Sequence, residues 1–149
     1  MGLNKIRIAV KRMGGIATEL PRYMTEGAAG MDLHAALENS ISIDPGATTL
    51  VPCGFAIAIP RGYEGQVRPR SGLALKHGLS IPNAPGTIDS DYRGEVGVIL
   101  INLGRETIVI EPQQRIAQLV ICPVAHAGLV EVEDLDETVR GEGGFGHTA

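Results

Sequence analysis

Residues 83–96 carry the side chains with the clearest capacity for chemistry. Two carboxylates, Asp89 and Asp91, and the aromatic Tyr92 stand there among glycine, proline and asparagine residues that favour tight turns. Apolar runs flank the stretch on both sides, so we predict a rigid hairpin that holds several polar groups on one side. Such a hairpin would form a binding site. The alternative is an exposed turn whose acids are only solvated.

A second candidate lies at residues 68–72, where an extended segment is expected to turn into a short helix. Arg68 and Arg70 supply positive charge, Ser71 supplies a hydroxyl, and Gly72 allows close approach of a ligand. Free backbone N–H groups at the start of a helix, together with the Ser71 hydroxyl, can bind an anion. In the alternative interpretation Ser71 only caps the helix and the arginines lie on the surface.

Two polar side chains, Arg115 and Gln118, interrupt an apolar strand, and a period of two places them on opposite faces. A buried arginine needs a carboxylate, and Asp32 is a lone acid among small and apolar residues. We therefore expect Asp32 and Arg115 to form a pair that gives structural support. Gln118 would be free to donate an amide N–H to a ligand oxygen. The alternative is an edge strand with Arg115 and Gln118 in solvent.

The C-terminal tail, residues 139–149, is rich in glycine and contains Arg140 and Phe145. Glycines would let the tail fold over a site as a lid, with Phe145 stacked on a flat ligand and Arg140 paired with an anion. An ordinary exposed chain end is the alternative. From Glu131 onward the sequence cannot bury enough apolar surface to order itself, so we divide the chain into one β domain, residues 1–138, and a flexible tail.

Elsewhere, short alternating apolar runs between turn formers predict strands. One short helix is predicted at residues 71–78, with Ser71 as its N-cap and Gly78 at its end, and residues 14–30 are predicted to form a loop. The predicted strands cover residues 6–10, 41–43, 48–59, 65–69, 96–100, 107–110, 115–124 and 129–132. The expected fold is all-β, a jelly-roll-like barrel or sandwich with one short helix and a flexible Gly-rich C-terminal tail.

Composition restricts the possible partners. The formal charge is -4 and the thirteen basic residues form no run, so we expect no nucleic-acid partner. No apolar run approaches membrane-spanning length, and we expect no membrane association. Cys53 and Cys122 are isolated in apolar surroundings, which predicts buried thiols in a reducing compartment and a cytoplasmic location. The four histidines are far apart, so the sequence predicts no metal held by protein ligands alone.

Five segments occur in an order that resembles the motifs of the trimeric dUTPases. They are residues 29–33, 70–72, 86–95, 115–118 and 140–146, and the resemblance extends from about residue 29 to the C-terminus. It implies a β jelly roll assembled as a homotrimer, with sites shared between subunits. It also implies hydrolysis of dUTP to dUMP and pyrophosphate by water attack at the α-phosphate, with Mg²⁺ bound through the substrate triphosphate. Such a reaction keeps uracil out of DNA and supplies dUMP for dTTP synthesis.

The resemblance implies roles for individual residues. Asp89 corresponds to the acid that activates the attacking water, and Tyr92 to the aromatic that packs against the deoxyribose and leaves no room for a 2'-hydroxyl. The other implied substrate contacts are Asn83, Gly86, Thr87 and Ile88 at the uracil edge, Arg70, Ser71, Gly72 and Gln118 at the phosphates, Arg140 at the γ-phosphate, Phe145 stacked on uracil, and Gly146 beside it.

The sequence departs from the family pattern in three places. His147, Thr148 and Ala149 end the chain where a Ser-Thr pair and a glycine are common, Gln113-Gln114 stands where a glycine is frequent, and Met31 replaces a frequent tyrosine. None of these changes removes a group with an implied chemical role.

Two other functions stay open at this point. A dCTP deaminase, or a bifunctional deaminase and diphosphatase, shares the fold but relies on a glutamate that handles a water at the base. Tyr92 and the Gly-Gly-Phe-Gly tail favour the phosphohydrolase. A non-catalytic nucleotide-binding jelly-roll module is the second alternative, and an assay of products from dUTP and dCTP would separate all three functions.

Overall fold

Short strands dominate the structure, as the many β-branched residues between turn formers predict. The structure is a computed structural model that describes residues 6–146. Within this range the chain forms eleven strands and one helix. They are β1 Ala9–Arg12, β2 Met31–His34, β3 Ile41–Ile43, β4 Thr48–Pro52, β5 Phe55–Ala58, β6 Tyr63–Arg68, α1 Ser71–His77, β7 Leu79–Ser80, β8 Gly86–Ile88, β9 Gly97–Asn102, β10 Ile108–Ile110 and β11 Arg115–Pro123.

The strands form antiparallel sheets whose order is mostly non-sequential. The largest has the order β2-β11-β6-β8, and a second has the order β4-β9-β7. Two further pairs, β1-β5 and β3-β10, complete the set. The all-β fold with one short helix is confirmed, and so is the loop at residues 14–30. No helix among residues 6–146 is both long and apolar enough to cross a membrane.

The core is aliphatic, because the chain has no tryptophan and only two phenylalanines. Val96, Val98 and Leu100 alternate inward and are at most 1% exposed, as their spacing predicts. Phe55 is the largest side chain among the fully buried residues of the described range. Full burial of each such side chain stabilises the fold by about 1.5–3 kcal/mol, so the two main sheets are held mainly by these inward rows.

The single long strand predicted at residues 48–59 is wrong. The segment forms two strands, β4 and β5, which belong to different sheets. The chain breaks between them at Cys53 and Gly54, where Gly54 has a φ of 77° that favours glycine. The Thr18 hydroxyl donates to the Cys53 carbonyl at 2.7 Å and so supports the break from the side. Gly54 therefore marks a change of sheet.

Two other strand predictions need correction. Residues 129–132 form no strand, and Leu129 is 96% exposed, because β-propensity stabilises a strand only next to a paired neighbour. The strand predicted at residues 6–10 lies further along the chain. Strand β1 covers Ala9–Arg12 and all four of its residues are exposed, whereas Ile6 and Ile8 before it are half-buried. It pairs with β5 along one edge.

Candidate active site

The residues within positions 83–92 that were predicted to contact the substrate line one cavity. The cavity has a volume of about 260 Å³. Its walls include Asn83, Gly86, Thr87, Ile88, Asp89 and Tyr92, together with Glu95 and the apolar residues Leu50, Val67, Ile81, Val96, Gly97 and Ile99. A cleft of this kind, mostly apolar with a few convergent polar groups, is typical of a small-molecule site.

The predicted hairpin at residues 83–96 is wrong, and the correction explains the cavity. Strand β8 pairs with β6, whereas β9 pairs with β4 and β7, so the segment connects two sheets rather than two paired strands. The cavity lies where these sheets diverge. A turn at its rim is closed by the Tyr92 N–H, which donates to the Asp89 carbonyl at 3.2 Å. Asp89 is exposed at the start of this turn.

One wall of the cavity is the free edge of a sheet. Strand β8 is the last strand in the order β2-β11-β6-β8, so within the described residues its outer edge has no partner strand. Backbone N–H and C=O groups on such an edge can bind the polar rim of a ligand. Gly86 is buried beside Asn83, and a Cβ there would come within 3.2 Å of the Asn83 side-chain nitrogen. Glycine at this position therefore leaves room for the Asn83 side chain.

The Tyr92 ring has a fixed position on the opposite side. Its hydroxyl donates to the Glu95 carbonyl at 2.9 Å. The ring covers Gly94, where a Cβ would collide with the ring in its present position. Tyr92 is still 45% exposed, and it presents an apolar face to the cavity.

The second group of predicted residues surrounds Asp32. The Arg70 Nε donates to one Asp32 oxygen at 3.1 Å, and the Arg115 Nη1 donates to the other at 3.3 Å. Asp32 therefore has the expected partner and a second one. Arg115 is not buried as expected, since its side chain is 51% exposed. Coulomb stabilisation at such exposure is small, and the pair mainly orients the two guanidinium groups.

A bulge changes the pattern predicted for β11. The register with β2 shifts between Arg115 and Ala117, so Ile116 and Ala117 are both buried instead of facing opposite sides. Further along, the Gln118 side-chain N–H donates to the Pro69 carbonyl at 2.9 Å. This bond ties β11 to the segment that enters α1 and leaves the second N–H of the amide for a ligand.

Ser71 is not the N-cap of α1, which corrects the sequence prediction. It is the first helical residue, and the N-cap is Arg70, whose side chain makes no capping hydrogen bond. The Arg70 guanidinium bonds to Asp32 instead. Ser71 and Gly72 are exposed, and nothing stands within 4 Å of the position that a Cβ of Gly72 would occupy. Gly78 ends the helix in the left-handed region, as predicted.

Arg70, Ser71, Gly72 and Gln118 do not line the cavity, and Arg70 lies well away from Asp89 along β6. Asp89 follows Ile88, which pairs with Gly65, whereas Arg70 lies beyond the opposite end of β6. The stretch from Gly65 to Arg68 alone spans about 10 Å at roughly 3.3 Å per residue. No arginine or lysine of the described range lines the cavity, whose charged residues are Asp89 and Glu95.

The tail stays away from the cavity in this chain. Phe145 is fully exposed, and the Arg140 Nε donates to the Gly143 carbonyl at 2.7 Å. Gly146 has a φ of 99°, which favours glycine. The departures at His147, Thr148 and Ala149 lie outside the described residues.

Comparison with known proteins decides the family. The family model described as dUTPase matches residues 17–149. A deoxyuridine 5'-triphosphate nucleotidohydrolase of Syntrophotalea carbinolica is 60% identical over 146 residues, which cover 98% of this chain and 99% of the relative. The chain belongs to the dUTPase family. A Chlamydia pneumoniae relative of the same name is 61% identical over 131 residues, covering 87% of this chain and 90% of the relative.

Solved structures of dUTPases share the fold. A mutant of the phage 80alpha dUTPase is 28% identical, with a TM-score of 0.85 and coverage of 95% of this chain and 98% of that chain. The Staphylococcus bacteriophage 80alpha dUTPase with dUPNHPP is also 28% identical, with a TM-score of 0.84 and coverage of 97% and 99%. The chain is thus an enzyme of the family that hydrolyses dUTP, and its strands form the family's jelly roll.

Sequence reasoning assigned no role to Glu95, although it lies within the dUTPase motif at residues 86–95. Its carboxylate accepts a hydrogen bond from the Gly54 N–H at 2.9 Å, and its carbonyl accepts one from Tyr92. One signal was present in the sequence. An acid directly before a row of buried residues that begins at Val96 needs a hydrogen-bond partner. The partner lies forty-one positions away, and only the fold reveals it.

Glu95 also affects Cys53, which is fully buried at the sheet change. Burial, and secondarily the negative charge of Glu95, raises the pKa of the Cys53 thiol to about 12. The thiolate is the reactive form of cysteine, so Cys53 should be inert at neutral pH. Cys122 is half-buried rather than buried as predicted, and its sulfur lies 3.8 Å from Arg68 Nη2.

Alkylation should therefore distinguish the two cysteines. We expect iodoacetamide at pH 8 to modify Cys122 in the native protein and to leave Cys53 unmodified until the protein is denatured. Mass spectrometry of the peptides measures both sites in one sample. Equal rates at Cys53 and Cys122 in the native protein would contradict the protection of Cys53.

Proposed function

We propose that this chain hydrolyses dUTP to dUMP and pyrophosphate by Asp89-activated attack of water at the α-phosphate, at sites shared between the copies of a homotrimer. The observation that carries the proposal is the cavity at residues 83–92. Its walls hold the expected deoxyuridine contacts of the β domain together with Asp89, whereas Phe145 and Gly146 would reach it from the tail.

Recognition of uracil would rest on backbone groups of β8. The outer edge of Gly86, Thr87 and Ile88 offers donors and acceptors at fixed positions, and Asn83 adds a side-chain amide. Cytosine would leave some of these groups unpaired, and an unpaired buried polar group is the strongest basis for rejecting a wrong base. A wall close to C5 of the base would exclude the methyl group of thymine.

Tyr92 would distinguish the sugars. Its ring is fixed by the hydroxyl bond to Glu95 and by contact with Gly94, so it cannot retreat from an added 2'-hydroxyl. Asp89 stands at the other end of the same turn and would hold the attacking water and accept its proton. We assign Asp91, the other acid of this turn, no contact with substrate.

The phosphates would be held by the second group of residues. Arg70, Ser71, Gly72 and Gln118 form the predicted contacts, and Asp32 orients Arg70. From the tail, Arg140 would pair with the γ-phosphate, while Phe145 and Gly146 cover the base.

Mg²⁺ would reach the site on the substrate. Among residues 6–146 no three histidine, cysteine or acidic side chains are grouped closely enough to hold a metal ion. At the cavity, Asp89 offers an exposed carboxylate, while the Glu95 carboxylate already accepts the Gly54 N–H. Such a site fits a Mg²⁺ ion bound mainly by phosphate oxygens, which is the usual form of Mg²⁺ in nucleotide sites. When bound there, the ion neutralises charge on the triphosphate.

The separation of Asp89 and Arg70 supports a site that is shared between copies. Arg70 lies beyond one end of β6 and Asp89 lies near the other end, so in the proposed site a second copy would supply cations to the phosphates. Leu50 and Ile99 face each other across β4 and β9 at the edge of the cavity and are both exposed. Apolar side chains beside an incomplete site support contact with a second copy.

We place this activity in the cytoplasm, where it would keep uracil out of DNA and supply dUMP for dTTP synthesis. Both cysteines are free thiols, which suits a reducing compartment.

Product analysis with four nucleotides tests the proposal. Purified protein is incubated with Mg²⁺ and, separately, dUTP, dCTP, dTTP or UTP. We expect dUMP and pyrophosphate from dUTP and little turnover of the others. Ammonia from dCTP would indicate a deaminase instead, and the absence of product from all four would favour a nucleotide-binding module.

Mixed assemblies test the shared site. We expect Asp89→Asn and Arg70→Gln variants, each nearly inactive alone, to regain activity when they are co-expressed with different tags and isolated together. In every trimer that contains both variants, one of the three sites has both native groups. Glutamine at position 70 can still donate to Asp32, which limits the loss of stability.

The matched control combines Asp89→Asn with Tyr92→Ala. Both changes affect the same cavity, so no mixed site has both native groups, and activity should stay at the level of the single variants. Recovery in this control, or none in the first mixture, would contradict sites built from two copies.

A further inference from the structure

Hydrogen bonds join the segment that carries Tyr92 to the residues at the change of sheet between β4 and β5. The Glu95 carboxylate accepts the Gly54 N–H at 2.9 Å. The next residue, Val96, donates to Phe55 at 2.8 Å and accepts from Cys53 at 2.9 Å. Residues 53–55 at the sheet change thus form hydrogen bonds with Glu95 and Val96, at the end of the segment that carries Tyr92.

Among these bonds the carboxylate bond is the one made by a side chain of the segment. The Val96 bonds are backbone pairs at the buried residue directly before β9, so they fix the entry to the strand rather than the turn. The Glu95 carbonyl, which receives the Tyr92 hydroxyl, lies between the turn and the strand. Its position therefore depends on the Glu95 side chain as well as on Val96.

Gly54 is suited to this contact. Its φ of 77° points its N–H toward Glu95, and an added Cβ would come within 2.9 Å of the Ile16 carbonyl. Its own carbonyl accepts the Met13 N–H at 2.9 Å. Both backbone groups of Gly54 are satisfied, and loss of the carboxylate would leave a partly buried N–H without a partner.

We propose that Glu95 is a positioning residue that sets the discrimination between deoxyribonucleotide and ribonucleotide, by holding its own carbonyl, and through it the Tyr92 ring, against the sugar. The proposal rests on the proposed function of the cavity. Without the carboxylate, the turn can relax and the ring can move away, so a 2'-hydroxyl gains space.

The test compares kcat/KM for dUTP and UTP in Glu95→Ala and in the unaltered protein. We define the selectivity ratio as kcat/KM for dUTP divided by kcat/KM for UTP. We expect this ratio to fall at least tenfold in the variant, with a smaller loss of kcat for dUTP. A merely structural role would lower both activities in parallel and leave the ratio unchanged, and that result would overturn the inference.

Two control variants separate positioning from stability. Glu95→Gln keeps an oxygen that can accept the Gly54 N–H, so we expect it to retain the ratio within about twofold. Thr18→Ala removes the buried hydroxyl bond to Cys53 at the same sheet change and leaves Glu95 intact. It should lower the melting temperature without changing the ratio. A large fall in the ratio of kcat/KM for dUTP to that for UTP, in either Glu95→Gln or Thr18→Ala, would contradict the proposal.

A double-mutant cycle checks the route through the tyrosine. If Glu95 acts through the Tyr92 hydroxyl, Tyr92→Phe should lower the ratio too, and adding Glu95→Ala should lower it little further. Fully additive effects would overturn that route. An unaltered protein that fails to hydrolyse dUTP would refute the proposed function, whereas a selective enzyme whose Glu95→Ala variant stays selective would refute only the inference.

Discussion

Replacement of Asp89 by asparagine is expected to lower kcat for dUTP hydrolysis by roughly 10²- to 10⁴-fold, the usual contribution of a general base. The amide keeps the size of the carboxylate and still forms hydrogen bonds, but it cannot accept a proton from water. The cavity should keep its shape, because Asp89 is exposed and its carbonyl closes the turn through the backbone. Affinity for a non-hydrolysable dUTP analogue should therefore change little. Steady-state kinetics and calorimetric binding measure the two quantities.

Asp91 provides the matched control for this prediction. It lies two residues further in the same turn and is also exposed, so Asp91→Asn removes the same charge from nearly the same place. We expect its activity to remain close to that of the unaltered protein. Equal turnover by Asp89→Asn and the unaltered enzyme, or equal losses in the two variants, would show that Asp89 is not the base.

Removal of residues 139–149 is expected to lower kcat/KM for dUTP by about 10²-fold or more while the core stays folded. The deletion removes Arg140 and Phe145. A charge-assisted hydrogen bond contributes about 1.5–3 kcal/mol, and about 1.36 kcal/mol corresponds to a tenfold change in rate. Both side chains are exposed in this chain, so the melting temperature should change by less than about 2 °C.

Point variants separate the contributions of the tail. Phe145→Ala and Arg140→Ala should each reproduce part of the loss, and Val109→Ala, which shortens an exposed apolar side chain on β10, should cause none. A large fall in melting temperature after the deletion would instead identify the tail as a structural segment. Unchanged kcat/KM would rule out its action as a lid.

The parts of the fold that local pattern determines were predictable. Alternation of small apolar side chains located β3 and β9, and Gly78 ended the only helix of the described range, because these features depend on neighbours within a few residues. Strand partners depend on distant segments. The sequence therefore did not separate β4 from β5 at Gly54, where the chain moves from one sheet to another.

The same limit applies to the site. Asn83, Gly86 and Tyr92 were identifiable from residue type and motif order, and the structure places them in one cavity. The pairing of Glu95 with Gly54 was not identifiable, since it joins positions forty-one residues apart. Residues 83–96 were expected to form a hairpin because turn formers lay between apolar runs, but the two runs belong to different sheets.

Hydrolysis of dUTP in water enriched in ¹⁸O tests the central claim most directly. Attack at the α-phosphorus transfers the water oxygen to the nucleotide product, whereas attack at the β-phosphorus transfers it to pyrophosphate. Mass spectrometry of both products after a single turnover gives the answer. We expect the label in dUMP and none in pyrophosphate. Label in pyrophosphate would contradict Asp89-activated attack at the α-phosphate.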